Sequence, residues 1–175
     1  MSVTLSLSSG TAGPGGVVTL TLSIASTGGD LPTQIQWVFS NTSDATLAGV
    51  TIGAAASAAS KTLSQAGNLM LVWGVSITPI GDGVLATATF RVSSFPSGTY
   101  TTINITSIVV SDKDANTLTG IGSPGIITIV PTPPTPGMPC TGITPQPATD
   151  IYFRLEKVMA CIRPDAHLPT RGAVR

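Results

Sequence analysis

The stretch VVTLTLSIAS, residues 17–26, alternates apolar and hydroxyl-bearing side chains with a period of two residues. Successive side chains of a β-strand point to opposite faces, so this period predicts a strand with one face in a core and the other in water. Leu20, Leu22 and Ile24 are expected to face that core. The stretch therefore predicts a sheet that is buried on one side only.

The same pattern recurs toward both ends of the chain. In QIQWVF, residues 34–39, it would place Ile35, Trp37 and Phe39 in the core, and the alternating N-terminal segment is typical of a strand and not of a signal peptide. Short strands separated by turns rich in Gly, Pro and Asp predict an all-β fold, a two-sheet antiparallel β-sandwich of the jelly-roll or immunoglobulin-like kind. Further strands are predicted at 47–52, 69–77, 84–92, 101–110 and 125–130.

One stretch inside this region has no strand pattern. AAASAASKTLSQAG, residues 54–67, is rich in alanine, which favours a short helix. Alanine propensity is the only feature that favours a helix, and we interpret the stretch as a loop that leads into the next strand.

The composition narrows the function. Charged residues are 9% of the chain, aromatic residues 5%, and the formal net charge is zero, so the chain lacks the basic surface that nucleic acids require. No stretch approaches the roughly 20 consecutive apolar residues of a membrane-spanning helix. The abundant Ser and Thr predict a neutral surface, which is cheap to desolvate against another protein. Protein partners are therefore expected, namely copies of this chain or another subunit of an assembly.

The composition changes at VPTPPTPGMPC, where closely spaced prolines favour an extended polyproline II spacer. Beyond it, TDIYFRLEKVMACIRP predicts a helix that Thr149 or Asp150 caps and Pro164 ends. We predict a β-sandwich at 1–130, a Pro-rich linker at 131–148 and a docking arm, with its helix and tail, at 149–175. An isolated short helix is marginal in water, so its apolar stripe needs a partner surface. The stripe consists of Ile151, Leu155, Val158, Met159 and Ile162.

The sandwich region resembles a known family. GDGVLATATFRV at 81–92, the turn AGPGG before VVTLTLSI, QIQWVFS, the Gly-Thr-Tyr turn at 98–100, ITSIVVSDKDAN and the closing GIITI occur in the order typical of cohesin domains. Cohesins are the modules by which cellulosomal scaffolding proteins hold dockerins. The resemblance spans nearly all of 3–130 and implies a cohesin-like sandwich that binds protein. A related carbohydrate-binding sandwich is disfavoured, because such sites present aromatic platforms and this chain has few aromatic residues.

Candidate chemical sites are sparse. Asp112, Asp114 and Asn116 have the first spacing of a calcium-binding loop, but Thr117 and Ser123 replace its Gly and Glu, which favours a hairpin turn. His167 is the only histidine, so no nucleophile, base and orienting group can be assembled, and no enzyme activity is expected. The two cysteines, Cys140 and Cys161, cannot hold zinc with one histidine, and they are either free or paired with each other. No cofactor or metal is expected.

Two hypotheses for function follow. The first is a non-catalytic structural subunit of a larger assembly, such as a virion decoration or tail component, which is held by its C-terminal arm and made without a signal peptide. The alternative is a cohesin-type adhesion module, at the cell surface or secreted, that binds a dockerin-like or cell-surface ligand.

The first hypothesis makes a prediction about the arm. Replacing Leu155 and Val158 with Asp should abolish assembly while the sandwich stays folded, because a carboxylate buried without a partner costs several kcal/mol. Light scattering after size exclusion measures the assembly, and circular dichroism checks the fold. Unchanged incorporation into particles would contradict arm docking.

Overall fold

Twelve strands and one short helix make up the part of the chain that the computed structural model describes, residues 2–29, 31–40 and 42–130. In chain order the elements are β1 (Ser2–Leu7), β2 (Gly10–Ala12), β3 (Val17–Thr27), β4 (Gln34–Phe39), β5 (Ala45–Ile52), α1 (Ala54–Ala58), β6 (Thr62–Ala66), β7 (Leu69–Trp73), β8 (Gly83–Val92), β9 (Tyr100–Ile103), β10 (Ile105–Ser111), β11 (Thr117–Ser123) and β12 (Gly125–Ile129).

The strands form a nine-stranded sheet in the order β5-β8-β3-β1-β11-β10-β4-β7-β6 and a three-stranded sheet in the order β2-β12-β9. Most neighbours are antiparallel, but β1 pairs with β11 and β2 with β12 in parallel. These two parallel pairs depart from the all-antiparallel prediction. They arise because the end of the domain runs beside its beginning in the same direction, and Pro124 separates β11 from β12.

An aromatic contact joins distant members of the nine-stranded sheet. Phe39 on β4 meets the ring of Phe90 on β8 edge to face, with the ring centroids 5.7 Å apart, and Trp37 meets Phe39 at 6.0 Å. All three side chains have no exposed surface. Because β8 and β4 lie near opposite ends of the strand order, this contact shows that the long sheet folds over on itself. The predicted β-sandwich is confirmed.

The core contains the residues that the sequence assigned to it. Leu20, Leu22, Ile35, Trp37 and Phe39 are fully buried, and Ile24 is nearly so. The intervening threonines of β3 lie on the outer surface, as the alternation predicted. The two-residue period therefore located the inner face of both strands.

The interpretation of 54–67 as a loop is wrong. The chain forms α1 and then β6 there, and the side chains of Ala56 and Ala59 are buried. A Cβ atom on Gly53 would lie 2.3 Å from the carbonyl oxygen of Val84, so the backbone enters α1 in close contact with β8. Small residues are needed at this contact, which explains why an alanine-rich stretch becomes a helix packed on a strand.

Two strand predictions also need correction. The predicted strand at 69–77 ends at Trp73, and the predicted strand at 101–110 is two strands, β9 and β10, separated at Asn104. The short strand β2 and the strand β11 were not predicted. Both pair in parallel with strands far away in sequence, a kind of pairing that no local pattern signals.

Within the described residues, the only helix is the five-residue α1, so no helix there is long and apolar enough to span a membrane. The predicted linker at 131–148, the predicted C-terminal helix and the tail lie outside the described residues. The domain boundaries proposed from the sequence stay predictions.

The aromatic contact yields a stability prediction. Phe90→Ala should lower the free energy of unfolding by about 3–5 kcal/mol, because it removes a buried ring and leaves a cavity beside Phe39. Phe95→Ala is the matched control, since that ring is 93% exposed and its loss should cost less than about 0.5 kcal/mol. Urea denaturation of both variants measures the difference, and equal costs would contradict the assigned core.

Candidate functional site

One outer surface of the sandwich, formed by β10, β4, β7 and β6, carries apolar side chains in contact with water. In the strand register, Gln36 lies between Val109 of β10 and Leu71 of β7. Val38, two residues along β4, pairs with Leu69. Val109 is 53% exposed and Leu69 38%. We call this surface, the outward side of these four strands, the apolar face.

An aromatic side chain lies at one end of the apolar face. Trp73, the last residue of β7, is 42% exposed, and its indole N–H donates a hydrogen bond of 2.9 Å to Oγ of Ser64 on β6. This bond holds the ring in one orientation across the neighbouring strand. A fixed, half-exposed tryptophan suits a protein contact, because it offers a large area at low cost in conformational entropy.

The apolar face has no charged side chains. None of the residues in β4, β6, β7 or β10 is Asp, Glu, Lys or Arg. The core of a protein interface is depleted of charged residues in the same way, and an exposed apolar patch on a soluble domain is typical of an interaction site.

The opposite outer surface has a different chemistry. Its side chains on β3, β8 and β5 are mainly threonines, which pair across the strands: Thr19 with Thr89, and Thr51 with Thr87, through hydroxyl hydrogen bonds. These hydroxyl groups thus serve as hydrogen-bond partners for one another across the strands. The two sides of the sandwich are therefore distinct: threonines predominate on this surface, with Val17 exposed at its margin, whereas the apolar face combines exposed aliphatic groups with an exposed tryptophan.

The segment between β7 and β8 extends this apolar character beyond the strands. Val75 is fully exposed and Ile77 is 72% exposed. Ile80 anchors the end of the segment, because its side chain is buried and its N–H donates to the carbonyl oxygen of Pro32 at 2.7 Å. A cleft of about 230 Å³ separates residues 74–77 of this segment from the hairpin between β10 and β11.

A buried lysine holds the start of the same segment. Lys61 is 6% exposed, and its ammonium group donates a hydrogen bond to the carbonyl oxygen of Ser76. Burial lowers the pKa of Lys61, because removal from water disfavours the charged form. Lys61 and Ile80 thus fix the segment from two sides while Val75 and Ile77 stay in water.

The hairpin across the cleft is organised by a carboxylate. One oxygen of Asp112 accepts the backbone N–H groups of Asp114 and Asn116, at 2.9 and 2.8 Å, and the other accepts the Asn116 side-chain amide at 2.9 Å. The side-chain bond from Asn116 is the main cause that lowers the pKa of Asp112, and the backbone bonds add to it. The interpretation of this stretch as a hairpin turn is confirmed. Among the described residues, no three His, Cys, Asp or Glu side chains are grouped as metal ligands.

The hairpin yields a pH prediction. Asp112→Ala should destabilise the domain at neutral pH, since three donors lose their acceptor. A lowered pKa in the folded state means that this stabilisation is full above the ordinary value of 3.8 and is lost as the pH falls through the folded value. The gap in melting temperature between wild type and variant should therefore narrow below pH 3.8.

Asp114→Ala is the control for that comparison. Asp114 and its ion-pair partner Lys113 are 62% and 58% exposed, so its loss should change stability little at any pH. A constant gap for Asp112→Ala from neutral to acid pH would contradict the role assigned to the carboxylate.

The residues that the sequence proposed for docking lie outside the described part of the chain. They are Ile151, Leu155, Val158, Met159 and Ile162. Cys140, Cys161 and His167 lie outside it as well, so the proposed state of the cysteines stays a prediction. The apolar face was missed in the sequence. A signal existed in LMLVW, residues 69–73, because a strand that is apolar on both sides has one apolar side left for another protein.

Comparisons with known proteins agree with this fold. No family model and no curated protein sequence matches the chain. Solved structures do: the seventh ScaB type I cohesin from Pseudobacteroides cellulosolvens matches with a TM-score of 0.61 at 20% identity, over 77% of this chain and 96% of that one. A non-cellulosomal cohesin from the archaeon Archaeoglobus fulgidus matches with a TM-score of 0.57 at 21% identity, over 74% and 92%.

A third match is the cohesin of OlpA from Clostridium thermocellum, solved in complex with a dockerin, with a TM-score of 0.57 at 17% identity over 74% of this chain and 100% of that one. The fold that these matches share with the described residues is that of the cohesin. The chain therefore contains a cohesin-like domain, as the order of its sequence motifs indicated.

Proposed function

We propose that this chain is a non-catalytic binding module that holds a partner protein on its apolar face, in an extracellular or cell-surface assembly. The observation that carries the proposal is the uncharged, partly apolar surface across four neighbouring strands, with the oriented ring of Trp73 at its end. The structural likeness to cohesins, several of them solved as complexes with dockerins, supports a dockerin-like partner.

The chemistry of the apolar face sets what the partner must offer. Leu69, Leu71 and Val109 provide aliphatic contact, while Gln36 provides an amide that can donate and accept hydrogen bonds. A charged side chain set against this face would lose water without gaining an ion pair, which costs several kcal/mol. The partner surface should therefore be aliphatic and amide-rich, with its charges at the rim.

The uncharged face also determines how binding responds to salt. Association that is steered by opposite charges slows steeply as ionic strength rises, whereas association through neutral groups does not. We expect an association rate constant in the unsteered range of roughly 10⁵–10⁶ per molar per second, with little change on adding salt.

The hypothesis of a particle subunit held by its arm keeps the status of a prediction. The residues that would carry it lie beyond Val130, and the apolar face provides a separate site for a partner. The two roles are compatible, because they are assigned to different residues of the chain.

The test uses the full chain and a panel of purified dockerin modules, including the dockerin solved with the OlpA cohesin. Val109→Asp and Leu69→Asp should each weaken binding at least about 100-fold, because each places a carboxylate where an aliphatic contact is buried. Both positions are exposed in the free domain, so the variants should fold. Surface plasmon resonance at low and high salt measures affinity and rate together.

Thr19→Asp is the matched control, since it adds the same charge to the exposed threonine surface on the other side. It should leave affinity unchanged. If Thr19→Asp weakened binding as much as Val109→Asp does, the apolar face would not be the binding site. Failure of every dockerin to bind would remove the dockerin-like partner.

A further inference from the structure

The two ends of the nine-stranded sheet differ in how they are protected. β5 and β6 are the end strands, and each has one hydrogen-bonded neighbour. Folded proteins usually guard such edges with charges, prolines or bulges, because an open edge pairs readily with another strand. β5 has a bulge between Leu47 and Gly49. The end strands of the small sheet, β2 and β9, are protected by their length of three and four residues.

β6 has none of these devices. Its sequence, TLSQA at Thr62–Ala66, contains no charge and no proline, and its register with β7 is unbroken. Four of its five residues are exposed. The nearest charge, Lys61, does not guard the edge, because its side chain is buried and its ammonium group is bonded to Ser76. β6 is therefore a neutral edge strand with no charge, proline or bulge in it.

The hairpin fixes which backbone groups of β6 are free. Gly67 and Asn68 form a two-residue turn, with Gly67 at a φ of +60°, and Ala66 pairs with Leu69 beside it. The pair that flanks such a turn is hydrogen-bonded, and bonded pairs then alternate along the strands. The backbone groups of Thr62, Ser64 and Ala66 therefore point to β7. The backbone groups of Leu63 and Gln65 point away from β7, in the plane of the sheet, and lie at its free edge.

We propose that β6 is a self-association edge, at which two copies of this chain pair β6 with β6 in antiparallel orientation about a twofold axis at Ser64. This register sets Leu63 opposite Gln65 of the second copy, and the reverse. The backbone groups of both residues are free at the edge. In each Leu63–Gln65 pair, the N–H group of either residue therefore donates to the C=O group of the other. Ser64 then lies opposite Ser64 of the second copy, and Thr62 lies opposite Ala66 of the second copy. No like charges meet in this register.

The twofold axis of such a pair is perpendicular to the sheet, so the outward sides of both copies point the same way. The two apolar faces then form one continuous surface with two binding sites. A partner that carries two cognate segments would be held by both at once, with an affinity above that of either site. The self-association does not depend on what the apolar face binds.

The first experiment is sedimentation equilibrium of the full chain and two variants over a wide range of concentration. The wild type should dimerise. Gln65→Pro should weaken the dimer about tenfold or more, because proline removes a backbone N–H at the free edge that bonds to the second copy and not to β7. A second comparison places a lysine on each of the two end strands, Ser64→Lys on β6 and Thr46→Lys on β5. Only Ser64→Lys should weaken the dimer, because it sets two ammonium groups opposite each other.

The second experiment is cross-linking, which also reports a weak dimer. In the full chain with Cys140→Ser and Cys161→Ser, Ser64→Cys should form a disulfide-linked dimer under mild oxidation. In the proposed register, Ser64 and Ser64 of the second copy form a non-hydrogen-bonded antiparallel pair. The Cα atoms of such a pair lie about 4.5 Å apart, within the range that a disulfide spans. Thr46→Cys is the control and should stay monomeric.

The edge pairing would be supported if Ser64→Cys forms the cross-linked dimer, Thr46→Cys does not, and Gln65→Pro weakens the dimer. A monomer at every concentration with no preferential cross-link would overturn it. So would a dimer that Gln65→Pro and Ser64→Lys leave unchanged, because the copies would then associate through another surface.

Discussion

The contact between the rings of Phe39 and Phe90 is the interaction on which the rest of the domain depends. It joins β4 to β8 across the core, and so it turns one long sheet into two facing layers. In a strand, a residue that faces inward forces its neighbours outward. Once Phe39 and Trp37 are inside, Val38 and Gln36 have to lie on the outer surface, and a slip of one residue in β4 would bury them instead. The composition of the apolar face thus follows from the packing of the core.

The sequence predicted the strands that are buried on one side and failed where that condition does not hold. β3 and β4 alternate cleanly, so their inner residues could be assigned without a structure. β7 is apolar throughout, which leaves its two sides indistinguishable by period and made its end uncertain. In 54–67, alanine favours a helix, but only the close contact of Gly53 with β8 decides where that helix begins. The parallel pairing of β1 with β11 depends on residues more than a hundred positions apart.

The candidate site could be predicted only in its general chemistry. A chain with 9% charged residues was expected to bind protein through a neutral surface, and the apolar face is such a surface. Its location was not predictable, because Val109 and Leu69 belong to strands that are far apart in sequence and are both neighbours of β4. The stripe predicted at 151–162 could be recognised in the sequence because a helical pattern repeats within a few residues. A face shared by four strands has no such local repeat.

The few charges of the domain are placed where they organise loops. Asp44 accepts hydrogen bonds from the backbone N–H and the hydroxyl of Ser97, and the backbone bond is the main cause that lowers its pKa. Asp112 closes the hairpin after β10, and Lys61 holds the segment after β7. Because these groups are committed to the ends of the sandwich, the surfaces between the ends stay neutral. A neutral surface gives up the long-range steering that charges provide, so discrimination between partners must come from shape and from hydrogen bonds at contact. The rigid orientation of Trp73 by Ser64 is therefore more than a local detail, since it fixes the shape that a partner has to match.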